Sequence, residues 1–141
     1  MTPQERFFDN GDETVSDRKT GLMWKKTDTM SDLKKWVNYQ DSVDYVRELK
    51  EKRFAGYDDW RLPTKDEMYS LYDETLSQKD KFGKIIHISN QFASGGGFSM
   101  IAKMVDGRFR TWVLKLRDGE YENPDGLWTL TEAARAVRSQ T

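Results

Sequence analysis

Pro63-Thr64-Lys65-Asp66-Glu67 fixes the point at which this chain must turn from extended to helical. The Pro63 ring crowds the amide and Cβ of Leu62 and holds that residue out of the α region. Thr64 and Glu67 then stand at the spacing of a capping box. In that motif the Thr64 hydroxyl accepts from the Glu67 amide, and the Glu67 carboxylate accepts from the Thr64 amide. A helix is therefore expected from Lys65 onward, with Met68, Leu71 and Tyr72 facing the core.

A second helix is expected upstream. Val43, Val46 and Leu49 recur at steps of three, while Asp44, Arg47, Glu48 and Lys50 fall on the other side. Ser31 offers a cap ahead of Leu33, Trp36 and Val37, and Gly56 offers a C-terminal stop. Strand signals flank these helices. Residues 6–15 read as strand, Asn10-Gly11 turn and strand, because both turn residues tolerate positive φ. Thr20-Gly21 makes a second turn before Leu22-Met23-Trp24. Further on, residues 99–105, the Asp106-Gly107 turn, residues 109–116 and the Asp118-Gly119 turn into Tyr121 read as a β-meander, with Trp112, Leu114 and Leu116 inward. Asn123-Pro124-Asp125-Gly126 is one more turn, ahead of Leu127-Trp128. Residues 79–97 are irregular, and Ser94-Gly95-Gly96-Gly97 reads as a flexible loop. Taken alone, the tail from Glu132 to Arg138 has helical propensity.

The core these elements enclose must be small, since apolar residues make up 36% and charged residues 33% of the chain. Trp24, Trp36, Trp60, Trp112 and Trp128 offset the shortage of aliphatics, each bringing a large buried area. At 141 residues the chain fits one domain. The net charge of −1 argues against a nucleic-acid binder or a general binder of anionic membranes. Cysteine is absent, which excludes disulfides, thiolate metal sites and cysteine nucleophiles and suits a reducing compartment. No apolar run approaches the roughly 20 residues of a membrane span, so no membrane insertion is expected. The first ten residues lack the order of a signal peptide. These features point to the cytoplasm, or to an exported domain without its leader.

Three segments carry a resemblance: Asp9-Asn10-Gly11-Asp12-Glu13-Thr14-Val15, Thr20-Gly21-Leu22-Met23-Trp24, and Gly56-Tyr57-Asp58-Asp59-Trp60-Arg61-Leu62-Pro63-Thr64. In this order they closely resemble the signature of the Lcl C-terminal domain family, whose namesake is a Legionella collagen-like adhesin. The resemblance runs from about Arg6 to Arg138. It implies an α+β, C-type-lectin-like fold, with two helices packed on short antiparallel β-sheets and a long loop region. It also implies that Arg135 to Arg138 form a closing strand, against their helical propensity. Typical members carry one cysteine on the first helix and one in the last strand; the corresponding positions here are Val46 and Ala136. Both being apolar suits a bridge replaced by core packing. The family's Tyr-Trp-Ser-Ser-Thr-like segment is reduced to Gly97-Phe98-Ser99-Met100, so any surface built on that segment differs here. The adhesin domain is associated with sulfated polysaccharides.

Trp24, Asp59, Trp60, Arg61, Pro63, Thr64 and Glu67 are read as a structural signature, with Trp60 in the core and Arg61 and an aspartate fixing the turn. Asp9, Asn10, Asp12 and Asp17 could supply oxygens to Ca²⁺, a hard cation that takes six to eight of them. Against this, no bidentate Glu ends the loop, and Asn10-Gly11 is accounted for by a hairpin. Glu122-Asn123-Pro124-Asp125 echoes a lectin calcium motif in permuted order. The glycine run lacks the Lys-Ser/Thr of a phosphate loop, and His87 has no cysteine, serine motif or second histidine to partner it. No catalytic residue is assigned, and no cofactor beyond the Ca²⁺ alternative is expected. The expected function is a non-catalytic module that binds a protein partner or itself, using loops between Lys79 and Phe98 and the meander turns. The alternative is sulfated-glycan binding, with Phe98, Lys103, Arg108 and Arg110 as ligand contacts.

Overall fold

The computed structural model describes residues 2–104, 111–122 and 132–140. Thr2 caps a single helical turn, α1 (Pro3–Arg6), which leads straight into β1 (Phe7–Asp9). β1 pairs antiparallel with β2 (Thr14–Asp17), and β2 with β3 (Leu22–Lys25). The far end of the chain returns as β9 (Val137–Ser139) on the free side of β3, giving the order β1-β2-β3-β9. The tail is thus a strand, as the family resemblance implied. Pairing explains why helical propensity loses: Val137 lies opposite Trp24 of β3 in the sheet, and on its other side it exchanges two backbone hydrogen bonds with Arg61 at 3.0 and 2.9 Å.

The first hairpin is wider than an Asn-Gly turn. Asn10 donates its amide to the Thr14 carbonyl at 3.0 Å, and the residues with positive φ are Gly11 and Glu13, not Asn10. Side chains hold this longer loop. Asp9 accepts from the Gly11 amide and Asp12 from the Thr14 amide, the local bonding that lets aspartate stand in for a backbone turn.

The helices also depart from the expected boundaries. α2 (Thr29–Leu33) is capped by Asp28, whose carboxylate accepts from the Ser31 amide at 3.0 Å, so Ser31 is inside the helix. Lys34 adopts φ +61° and ends it, leaving Trp36 and Val37 outside any helix. Asn38 then caps α3 (Tyr39–Glu51) through a capping box with Asp41, and α3 buries Ser42, Tyr45, Val46 and Leu49. The stop is at Lys52; Gly56 instead closes a separate 3-10 turn, Phe54–Gly56. α4 (Lys65–Ser70) begins at Thr64 with both capping-box bonds present, at 3.2 and 2.9 Å. Among the described residues there are therefore more helical segments than the two implied, all short except α3.

β4 (Gln78–Lys79) and β5 (Ile85–Ile86) form a small hairpin, and β6 (Ser99–Ile101), β7 (Val113–Lys115) and β8 (Tyr121–Glu122) form a meander in that order. The Asp106-Gly107 and Asn123 to Gly126 turns, with Trp128, lie outside the described residues. Strand alternation divides the interior in two. Leu22, Trp24, Met100, Leu114 and Val137 join Met68 and Leu71 in one cluster. Met23, Ile101, Val113 and Ala136, one residue out of step with them, join Val46, Leu49 and Trp60 in the other. Successive side chains point to opposite faces of a strand, so both small sheets sit between two cores. Each fully buried Leu, Ile or Val contributes roughly 1.5–3 kcal/mol, and a two-faced sheet collects that on both sides. Val46 and Ala136, the positions of the family's cysteines, are both buried in the second cluster. Among the described residues, no helix is long and apolar enough to cross a membrane.

Asp17 locks the start of this frame. Its side chain is fully buried and takes both Arg6 Nε and Nη2 at 2.7 and 2.6 Å, with Thr20 Oγ1 at 2.7 Å and the Lys19 amide at 3.0 Å. Burial alone would raise its pKa, but the hydrogen bonds from Arg6 and Thr20 outweigh it and hold the carboxyl below its usual range. A carboxyl depressed in the folded state stabilises the fold above its unfolded pKa, about 3.9, and that contribution disappears as pH falls through the folded value. Urea midpoints measured from pH 7 down to pH 2 should therefore fall below about pH 4. Asp17→Asn should be less stable at pH 7 and show a shallower acid limb. An acid limb unchanged by the substitution would show that Asp17 is not among the groups setting it.

Candidate functional site

Residues 78–98 form a loop-rich stretch that exposes charged and apolar side chains while Ile86, Ile88 and Phe92 anchor it in the first cluster. The β4–β5 hairpin turns through Asp80, Lys81, Phe82, Gly83 and Lys84, with Gly83 at φ +76° closing a short loop. Asp80 accounts for the turn. One carboxylate oxygen accepts from the Phe82 and Lys84 amides at 2.8 and 3.0 Å, and the other takes Arg117 Nε and Nη2 at 3.0 and 2.8 Å. The Asp80 side chain is fully buried. Burial opposes its ionisation, but Arg117 and the two amides prevail and lower its pKa. The acid of this loop is thus spent inside, while Lys79, Lys81, Phe82, Lys84 and Ile85 are left outside.

Phe82 is 57% exposed and Ile85 47%. The Phe82 ring lies over Trp36, with centroids 6.4 Å apart and planes 28° from parallel, and beside Phe98 at 6.3 Å. Trp36 and Phe98 meet edge-on at 4.8 Å, and the Arg117 guanidinium covers Phe98 at 4.3 Å. Three rings from separate parts of the chain therefore form one half-exposed apolar surface. Phe98 was expected at a ligand surface; Trp36 and Arg117 were not expected, and Phe82 and Ile85 fall within the expected loops between Lys79 and Phe98 without having been singled out. Their signal was the alternation of Lys79, Lys81 and Lys84 with Phe82 and Ile85 around an Asp-x-x-Gly turn.

A polar cavity of about 590 Å³ is lined in part by the same segment, at residues 78 and 90–94. Asp9, Lys26, Gln78, Asn90, Gln91 and Ser94 contribute its polar lining. Asp9 pairs with Lys26 Nζ at 2.8 Å, and Gln91 Oε1 accepts the Asp9 amide at 3.3 Å. A smaller cavity, about 380 Å³, lies against α3. There Asp32 accepts from Lys25 Nζ and Thr27 Oγ1, each at 2.7 Å, and from the Tyr45 hydroxyl. Burial and then the Asp32 bond push the Tyr45 phenol well above its usual range, so it remains a donor. Every charge in that cluster is already partnered.

The other residues singled out from the sequence are dispersed. Asp59 pairs with Arg138 at 2.6 Å, and Arg138 lies over the Tyr57 ring. Trp60 is buried and donates its indole N–H to the Phe54 carbonyl at 2.9 Å. Arg61 grips Glu67 with two bonds at 2.7 and 2.9 Å, tying the strand-like entry to the first turn of α4. The Pro63 carbonyl accepts the Lys103 amide at 2.8 Å, and Trp24 is fully buried. Lys103 and Phe98 flank opposite ends of β6, roughly 16 Å apart along an extended chain, so they do not share a contact surface. Arg108 and Arg110 lie outside the described residues. His87 is spent on the Leu76 carbonyl through Nδ1 at 2.9 Å and on the Tyr72 ring edge.

The four calcium candidates are not gathered either. Asp17 sits at the end of β2 far from the loop and belongs to Arg6. Asp9 belongs to Lys26, Asp12 to Thr14, and the Asn10 amide donates to Thr14 and Ser16. Among the described residues, no three carboxylates or histidines come together as a metal site.

Gly96 and Gly97 of the glycine run are packed rather than free. Gly97 donates its amide to Asp28 at 2.8 Å, and a Cβ there would stand 2.7 Å from the Ala133 Cβ. At Gly96 a Cβ would meet Asp28 Oδ2 at 2.7 Å. Close approach, not looseness, requires glycine here, and it carries the chain from the polar cavity to the aromatic surface. Gly97→Ala should cost about 1–3 kcal/mol by overpacking. Gly83→Ala, also strained through its positive φ but with open space around it, offers a comparison that should not disturb Ala133. Thermal melts check this, and an unaltered midpoint for Gly97→Ala would mean that the contact relaxes.

No curated protein matches the chain. The Lcl C-terminal domain family matches residues 13–138, which takes in the second strand, both cores, the hairpin and the closing strand. With the capping-box junction, the buried Trp24 and Trp60 and the closing strand β9 in place, the chain belongs to the Lcl C-terminal domain family.

Proposed function

We propose that this domain is a non-catalytic binding module that engages a protein partner, or a second copy of itself, through the surface built by residues 78–98. One observation carries this reading: Phe82 stays 57% exposed beside Trp36 and Phe98, and Ile85 at the foot of the same hairpin stays 47% exposed, although the chain has few apolar residues to spare. A contiguous apolar patch left on a surface rich in charge marks an interaction site. Aromatic side chains on a firmly anchored loop lose little freedom when a partner covers them, which suits recognition.

The polar cavity favours a second reading. Amides, a hydroxyl and one ion pair around about 590 Å³ offer the donors and acceptors that a glycan's hydroxyls require.

Photo-crosslinking in the source cell separates the two. A crosslinking phenylalanine analogue at position 82 should give discrete protein adducts, whereas the same group at the exposed Glu51 on α3 should give none. Equal labelling at both positions, or none at either, would sink the protein-binding reading. Glycan-array binding that is lost in Gln91→Ala and retained in Phe82→Ala would establish the second reading instead.

A further inference from the structure

We propose that the hairpin surface docks an acidic segment of a partner protein that carries an apolar side chain, an inference that rests on the binding-module reading. The charge distribution supplies the argument. Lys79, Lys81 and Lys84 are exposed around Phe82, and Lys34 and Lys35 are exposed just ahead of Trp36. Among the described residues, none of the five has a carboxylate within ion-pair distance. The hairpin's own acid is turned inward and neutralised by Arg117. A chain of net charge −1 therefore presents a basic rim around an apolar centre at this hairpin.

The two features select the same ligand by different physics. Separate exposed ion pairs contribute little affinity, so the lysines act mainly on encounter rate and choice of partner. The apolar centre supplies the affinity by losing water. A sulfated sugar would satisfy the lysines but leave the aliphatic side chain of Ile85 wet. A membrane surface would favour several projecting rings, whereas Trp36 and Phe98 beside Phe82 are only partly exposed. An acidic protein segment with a Leu or Phe among its carboxylates satisfies both.

The experiment is fluorescence anisotropy on the full chain. The probe is a short labelled peptide alternating Glu with Phe and Leu, and the control is the same peptide with every Glu→Gln. The acidic peptide should bind, with affinity falling as salt rises. Affinity should drop roughly tenfold or more for the Gln control, for Phe82→Ala and for the doubly substituted Lys81→Glu, Lys84→Glu protein. Lys50→Glu on α3 should have no effect. The exposed lysines can be reversed without touching a core, so loss of binding there is not loss of fold. Absence of binding, or binding indifferent to Phe82→Ala, overturns the inference. So does selective binding of heparin, or of phosphatidylserine–phosphatidylcholine vesicles, through the same lysines. Adducts from position 82 without peptide binding would overturn the acidic-ligand inference and leave the binding module standing; neither signal would remove both.

Discussion

The segment from Glu132 to Ser139 holds the structure together, because its backbone is shared among five other parts of the chain. Glu132 pairs with Val37, Ala133 accepts from Ile101, Ala134 from Thr29, and Ala136 from Lys25, while Val137 exchanges bonds with Arg61. Both cores and three of the helical entries therefore meet along a few residues. Arg135 lies inside this nexus, 2% exposed, with Nη1 donating to the Lys25 and Lys26 carbonyls at 3.0 and 2.7 Å and its guanidinium over Phe92. Desolvation lowers its pKa, and the nearby Asp28 works against that shift. Burying such a charge is costly unless its donors are met; two carbonyls meet Nη1 and are held in one arrangement by it, while Nε has no hydrogen-bond partner among the described residues.

Asp28 links that nexus to the outer surface. The same carboxylate caps α2 and accepts the Gly97 amide, which fixes where the loop passes Ala133 and delivers Phe98 to Trp36. The recognition surface is thus positioned by contacts that begin near the middle of the fold. Val46 and Ala136 belong to the same economy. Where the family resemblance implies a thiol pair, this chain has two apolar residues in one buried cluster, and packing replaces a covalent constraint.

Much of the local chemistry, in which a residue acts on its near neighbours, was readable. The box at Thr64 and Glu67, the α3 stripe of Val46 and Leu49, and the alternation of Trp112, Leu114 and Leu116 all work within a few positions. Most failures came where a distant partner decides. Ser31 is a local exception: Asp28, three positions earlier, takes the cap and accepts the Ser31 amide. Local propensity alone favoured a helix in the tail; the family resemblance implied the strand, and its partners, β3 and Arg61, are far away in sequence. The glycine run looked loose because its neighbours, Asp28 and Ala133, are dozens of positions away. The aromatic surface was hidden for the same reason, since Trp36, Phe82 and Phe98 are widely separated in sequence and each alone resembles core.

Asp80 has a consequence for how such a surface can diversify. Its buried carboxylate and Gly83 settle the path of the hairpin from below, through backbone amides and Arg117, without using the side chains of residues 81, 82, 84 or 85. Those four positions can change charge, size or aromaticity while the loop keeps its shape and both cores stay undisturbed. The hairpin is in effect a socket with interchangeable contents: one scaffold can present a different recognition face for each set of side chains fitted to it.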